Sequence, residues 1–289
     1  MTTVAARPTG SASGQPAHGR RKQRRWTRAI LPTYSWLVIA YLVFPIAIMI
    51  VYSFNQVTTG LPQVSFAWNG FTTRWYQQWN GIPQLTSSFW LSIQLALATT
   101  VLAGVVGTLL ALALVRYRPP RFRGKAAFEQ TLFLNIAAPE IVLGASLLGL
   151  FVTLNVARGF LTLLISHVAF SIAYVAVTVR ARMAGFDRSL EEAAQDLGAN
   201  AWTTFRKITF PIILPGIMAG GLMAFAISID DFVTSNFVSG PQVPFPVWVY
   251  GATRIGIPPQ VFVFGTAIFT VGILCALASV IMSRRHRPA

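Results

Sequence analysis

Residues 191–215 read EEAAQDLGANAWTTFRKITFPIILP, and this stretch stands out from an otherwise apolar sequence. It contains three of the chain's eight acidic side chains, Glu191, Glu192 and Asp196, and it ends with two prolines in five residues. Long apolar stretches flank it on both sides. The pattern predicts a short polar helix-turn-helix unit set between two segments of membrane-spanning character.

The composition indicates a membrane protein. Hydrophobic residues make up 54% of the 289 residues and charged residues only 11%, which is too apolar for a soluble domain of this length. A helix needs about 20 apolar residues to cross a hydrocarbon core of ~30 Å. We therefore predict an all-α membrane protein with six transmembrane helices, at about 30–53, 89–115, 131–153, 159–179, 212–238 and 260–282.

The basic residues alternate between the two sides of this arrangement. Twenty of the 23 Lys and Arg residues fall before the first predicted span, in every second connection and after the last span, and three fall in the other connections. Positive residues are retained on the cytoplasmic side, so both termini and residues 191–215 are predicted to be cytoplasmic. The net charge of +15 is thus explained by topology, and nucleic acid is excluded as a partner in favour of membrane lipid.

Three regions follow from this distribution. Residues 1–29 begin with Ala, Gly, Ser, Thr and Pro in abundance and end in a basic cluster, which predicts a disordered cytoplasmic tail. Residues 30–283 form the transmembrane domain, and residues 284–289 form a cytoplasmic C-terminal tail.

Motifs for catalysis are absent from the sequence. It has no HExxH, paired CxxC, GxSxG or GxxxxGK[ST] pattern, so we expect neither an active site nor an ATP site on this chain, and no metal or other cofactor. His167 is the one histidine within a predicted span. A hydrogen bond to a neighbouring helix is favoured there over metal or proton chemistry.

Local signals divide the polar unit into two helices. Ser189 and Glu192 have the spacing of a capping box, and Gly198 suits the left-handed residue that follows a helix. Asn200 is a candidate cap for a second helix, on which Trp202, Phe205 and Ile208 form an apolar stripe. Such a hairpin could lie on the membrane surface or could contact another protein.

The spacing of this unit closely resembles the EAA motif of ATP-binding-cassette importer permeases. Glu192, Ala193 and Ala194 are followed at the family's intervals by Gly198, Ile208 and Phe210-Pro211, where the family usually has Leu-Pro. In that family the motif docks the ATPase. The resemblance implies a coupling loop at about 180–211, with Ser189, Glu191, Glu192, Ala193, Ala194, Asp196, Gly198, Ile208 and Pro211 as its coupling residues.

The likeness continues beyond the motif. HVAFSIAYVAVTVRARMAGFDRSLEEAAQDLGA, AFAISIDDFVTSNFVSG and PFPVWVYGATRIGIPPQ resemble the C-type inner-membrane permeases of spermidine/putrescine importers. The resemblance covers about residues 30–283 and implies a six-helix type I importer (MetI-like) fold in a prokaryotic inner membrane. It also implies three kinds of partner: a homologous second permease, two ATPase subunits that bind the ATP, and an extracytoplasmic substrate-binding protein.

Acidic residues inside the predicted spans are the candidates for the substrate path. Asp230 and Asp231 lie in the fifth span and Glu140 in the third, and a central Asp costs about 2.5 to 3.5 kcal/mol on the insertion scale. One aspartate could instead cap a helix break or pair with a neighbouring helix, and Glu140 could repair the kink at Pro139. The resemblance and these negative charges together favour a polyamine cargo. The alternatives are an importer permease for a metal ion or amino-acid derivative, and a self-sufficient secondary transporter.

Overall fold

The computed structural model describes residues 25–57, 68–116 and 124–285, with side chains for 30–57, 68–116 and 124–274. Most of these residues are helical, and a single antiparallel bridge joins Asn55 to Phe71. The helices are α1 (Arg25–Tyr52), α2 (Arg74–Gln77), α3 (Pro83–Arg116), α4 (Lys125–Ala137), α5 (Glu140–Thr153), α6 (Phe160–Met183), α7 (Ser189–Asp196), α8 (Ala201–Thr204), α9 (Phe210–Asp230), α10 (Val233–Val238), α11 (Phe245–Ala252) and α12 (Gln260–Arg285).

The chain divides into two units, Met1–Ile48 and Met49–Ala289, and every site considered below lies in the second. The predicted tails lie largely outside the described residues. Helix α1 begins at Arg25 and α12 continues to Arg285, so both helices extend into the predicted basic tails. Arg and Lys are good helix formers, which lets each helix continue past its apolar stretch.

Helices α3, α6 and α9 pack together as the centre of the second unit. Their shared core contains Ala103, Ala111, Leu112, Val175, Val179, Met183, Ile213 and Ala224. A Cβ on Gly220 would lie 3.1 Å from Val175 Cα, and a Cβ on Gly216 would lie 2.8 Å from Arg182 Cβ. The GxxxG spacing thus lets α9 approach α6 closely, as small residues do between membrane helices.

The third predicted span is not a single straight helix. The helix axis bends by 109° between α4 and α5, and Ala138 and Pro139 at this break are in extended conformation. Proline cannot donate the hydrogen bond that would continue α4, and it disfavours helical geometry at the residue before it. The third predicted span is therefore sharply bent at Pro139, where the sequence indicated a kink.

The fifth predicted span, 212–238, is also interrupted. Helix α9 ends at Asp230, Asp231 is extended (φ −65°, ψ 110°), and α10 begins at Val233. In the described part of the chain, four helices are long and apolar enough to cross a membrane, or five if α4 and α5 form one bent span. An all-α membrane fold is confirmed, whereas the count of six spans is not.

Candidate functional site

The first candidate site is the coupling elbow, which we define as residues 187–210. Gly198 follows α7 with φ +86°, and the side chain of Asn200 accepts a hydrogen bond from the backbone N–H of Thr203 at 2.8 Å. Both predictions for these residues are confirmed. The left-handed glycine reverses the chain after α7, and the Asn200 cap starts the next helix two residues later.

The start of α7 differs from the predicted capping box. Ser189 is the first helical residue, and its backbone N–H donates to Asp187 Oδ1 at 2.9 Å, while no capping bond from Glu192 forms. The backbone hydrogen bond from Ser189 lowers the pKa of Asp187, and a side-chain bond from the same residue adds to this. Asp187, two residues before Ser189, thus supplies the acceptor at this helix start in place of the Ser189 hydroxyl, and a charged acceptor forms the stronger hydrogen bond.

The second half of the elbow continues into the membrane. Residues Ala201–Asp230 form one helical run of 30 residues, interrupted only by a π-helical segment at Phe205–Thr209. The backbone N–H of Phe210 bonds to the carbonyl of Phe205, five residues back. Pro211 follows at once, so the wider turn lies where a proline would otherwise remove a helical hydrogen bond.

The predicted coupling residues divide by exposure. Ser189, Glu192, Ala193, Asp196, Gly198 and Pro211 are exposed, and Glu191, Ala194 and Ile208 are half-buried. Two apolar side chains of the elbow also face solvent, with Leu197 90% and Trp202 67% exposed. The predicted stripe is partly exposed: Phe205 and Ile208 are half-buried, while the exposed Trp202 ring stacks on that of Phe205 with ring centroids 5.9 Å apart. An exposed apolar surface beside acidic groups is suited to contact with another protein.

Glu191 connects this elbow to two other parts of the chain. Its carboxylate pairs with the guanidinium of Arg116, at the end of α3, and accepts a hydrogen bond from the Thr209 hydroxyl. Arg116 Nη2 also lies 3.3 Å from Thr209 Oγ1. The sequence gives no signal for this partnership, because Arg116 and Glu191 are 75 positions apart.

The second candidate site is the acidic break, residues 228–235, where α9 gives way to α10. Asp231 Oδ2 accepts the backbone N–H of Ser235 at 2.7 Å, and Oδ1 accepts that of Thr234 at 3.3 Å. Asp231 thus satisfies donors at the start of α10, which agrees with the interpretation that one aspartate caps a helix break.

His167, fully buried in α6, holds the two sides of the acidic break together. Its Nδ1 lies 2.8 Å from the Ser228 hydroxyl, and its Nε2 lies 3.0 Å from the Ser235 hydroxyl and 3.4 Å from Asp231 Oδ2. Hydrogen bonding to a neighbouring element, as predicted for His167, is confirmed. Both ring nitrogens have partners, so the imidazole is a structural link across the broken helix.

Asp230 and Glu140 have a different environment from Asp231. Both are exposed, and within the described residues neither has a hydrogen-bond or ion-pair partner. Glu140 is the first residue of α5 and makes no capping bond, so its side chain does not repair the kink. Each of these acids lies at the break of an apolar span, where a carboxylate is free to meet another molecule.

A cavity of about 530 Å³ lies beside these breaks. It is bordered by the first turn of α5, by α10 and by α11, through Ile141, Phe232, Asn236 and Tyr250 among others. Its basic residue, Arg254, stacks over the Tyr250 ring at 5.2 Å and donates to the Tyr250 hydroxyl at 3.2 Å. The walls are therefore mainly apolar and aromatic, with a few polar groups.

A helical membrane core with an exposed polar elbow and broken spans is the kind of architecture expected of a transport permease. The chain belongs to the family described as binding-protein-dependent transport system inner membrane component, whose model matches residues 8–287. It is thus a multi-pass inner-membrane component of an ATP-binding-cassette importer and not the ATP-hydrolysing subunit. Membership of this family also sets it apart from self-sufficient secondary transporters.

Curated relatives cover most of the chain. The spermidine/putrescine transport system permease protein PotC of Escherichia coli (strain K12) is 38% identical over 248 residues, which are 86% of this chain and 91% of that protein. PotC of Haemophilus influenzae is 39% identical over 252 residues, 87% of this chain and 93% of its own. The putrescine transport system permease protein PotI of Escherichia coli (strain K12) is 37% identical over 259 residues, 87% and 90% of the two chains.

Solved structures support the same fold. A bacterial ABC transporter involved in the import of the acidic polysaccharide alginate aligns with TM-score 0.59 at 16% identity, covering 95% of this chain and all of the other. The MetNI methionine ABC transporter in inward-facing form aligns with TM-score 0.56 at 17% identity, covering 71% and 96%. The expected MetI-like architecture is thereby confirmed as a fold.

Proposed function

We propose that this chain is the permease subunit of a polyamine importer, forming half of a translocation path for putrescine or spermidine. The observation that carries this proposal is the identity of about two residues in five, over nine tenths of their length, to permeases named for these amines. The aligned region covers 86% of this chain and therefore includes both candidate sites and not a single motif alone.

The coupling elbow is the proposed contact with the ATPase. Support comes from its exposed apolar residues Leu197 and Trp202 and from Glu192, whose side chain faces solvent beside them. A fixed turn at Gly198 sets the angle between α7 and the helix that continues into the fifth span. A movement of the elbow surface would therefore be transmitted directly to the membrane helix.

The partner set follows from this role. One permease half needs a homologous second permease to complete a path, two ATPase subunits to supply energy and a binding protein to deliver the amine. Both termini and the elbow are placed in the cytoplasm, an orientation supported by the twenty-to-three distribution of basic residues.

The proposed amine contacts are Asp230 and Glu140. Ammonium groups lose hydration as they enter the membrane, and a carboxylate offsets part of that loss through charge-assisted hydrogen bonds. If the fifth span enters from the cytoplasm near Pro215, fifteen residues at about 1.5 Å each place Asp230 roughly 22 Å along it, towards the outer side. Asp231 is proposed to have a structural role, because its carboxylate already accepts two backbone hydrogen bonds.

The test is uptake of labelled putrescine and spermidine in a strain that lacks other amine importers. The chain is expressed with its native neighbours, and copurifying subunits are identified from the same membranes. We expect amine uptake that requires ATP and copurification of an ATPase and a second permease. Uptake of a metal ion or an amino-acid derivative, with no amine uptake by the intact complex, would refute the polyamine assignment.

A further inference from the structure

Glu191 lies where three parts of the chain meet at the membrane end of the elbow. It joins α7 to Arg116 at the end of α3 and to Thr209 in the π-helical segment. We propose that Glu191 is a positioning residue that makes the elbow and the membrane helices move as one body. This inference rests on the proposed coupling role of the elbow, and it concerns the transmission of force rather than contact with the ATPase.

The first argument is how little else holds α7. No residue of α7 is buried, and Leu190, an apolar residue of its first turn, is 48% exposed. Apolar packing therefore contributes little to holding this helix against the span helices. The polar contacts of Glu191 are therefore the main side-chain connection between α7 and the span helices.

The second argument is the geometry of the connection. The Glu191 side chain is only 18% exposed, and Thr209 is fully buried. Arg116 faces both groups, which makes a closed triangle of carboxylate, guanidinium and hydroxyl. A partly buried network of charge-assisted hydrogen bonds is held more firmly than an isolated surface ion pair.

A second contact spans the same gap. Arg188, the residue before α7, donates from Nη2 to the carbonyl of Val115 at 3.1 Å. The Glu191–Arg116 ion pair and the Arg188–Val115 hydrogen bond therefore both connect the start of α7 with the last turn of α3. Two adjacent bonds across one gap resist rotation as well as separation, which is what force transmission requires.

The chain offers a matched control. Glu129 in α4 pairs with Arg180 in α6 at 3.1 Å, and its exposure of 27% is close to that of Glu191. This pair is also an Arg–Glu contact between helices, but neither residue belongs to the elbow. Glu129→Gln therefore removes a similar ion pair without touching the proposed transmission.

The experiment uses the complete complex in proteoliposomes, with putrescine as the probe. For Glu191→Gln we expect retained ATPase subunits and continued ATP hydrolysis, but about tenfold less putrescine moved per ATP. Arg116→Gln should give the same loss, and the double variant should be no worse than either. Glu129→Gln should keep the wild-type ratio, and Glu191→Asp should restore part of it.

A spin label at position 199 on a Cys275→Ala background gives a readout independent of the cargo. The label should become more mobile in Glu191→Gln and stay unchanged in Glu129→Gln. Unchanged mobility with a wild-type transport ratio would overturn the inference. Loss of the ATPase subunit from Glu191→Gln would also overturn it, because Glu191 would then serve docking. If the wild-type complex moves no putrescine while the label in Glu191→Gln is still more mobile than in wild type, only the polyamine cargo is refuted.

Discussion

At the scale of single residues, Asp230 and Asp231 show how adjacent side chains acquire different tasks. The helix ends between them, so one carboxylate is exposed and the other turns back onto the start of α10. Regular helical geometry would have separated them by about 100° on one cylinder. The break instead places them in separate environments, and their substitutions should have separable effects.

We expect Asp230→Asn to lower putrescine uptake about tenfold while complex assembly stays normal, because only a charged hydrogen bond to the cargo is lost. Asp231→Asn should instead lower the yield of assembled complex, because one of the two oxygens that accept backbone N–H groups becomes an NH2 donor, and a lost cap costs about 1 kcal/mol. Uptake and copurified partner subunits are measured side by side. Wild-type uptake by Asp230→Asn would remove it from the proposed path.

At the scale of elements, the turn at Gly198 decides how the two arms of the elbow are set. A Cβ at this position would meet no atom within 4 Å, so any effect of substitution comes from the backbone alone. The φ of +86° is unfavourable for residues with a side chain, and most of all for a β-branched one. Substitutions at Gly198 therefore test the angle between the two arms of the elbow and not side-chain packing.

Gly198→Ala should weaken retention of the ATPase subunit moderately, by about 1 kcal/mol, and Gly198→Val by more. Gly185→Val is the control, because Gly185 lies in the same connection, has open space around it and lacks a positive φ. Membrane insertion should be normal in all three variants. Full ATPase retention and full uptake by Gly198→Val would show that the elbow does not dock the ATPase.

The elements also show what a sequence can reveal. Gly198, Asn200 and the close-packing glycines of α9 are predictable because each depends on local backbone or on spacing within one helix. The Arg116–Glu191 pair is not predictable, and for His167 the sequence predicts a hydrogen bond to a neighbouring helix but not its partners, since tertiary packing brings distant residues together. That Asp187 rather than Ser189 supplies the acceptor at the start of α7 likewise depends on the folded geometry.

At the scale of the whole molecule, orientation in the membrane is the next point to test. Single cysteines at positions 157, 199 and 241 on the Cys275→Ala background would report three connections. We expect an impermeant reagent to label 157 and 241 from outside intact cells and 199 only after permeabilisation, because basic residues cluster on the side of 199. Labelling of 199 in intact cells would reverse the proposed topology.

The π-helical segment at Phe205–Thr209 has a consequence for how the molecule faces its partners. One extra residue is contained in that turn, so everything before it is rotated by roughly 100° relative to an unbroken α-helix. The direction in which Trp202 points therefore depends on the extra residue in this segment. Deleting one residue from the segment would leave residues 187–204 unchanged but would rotate them, with Trp202, by about 100° relative to α9.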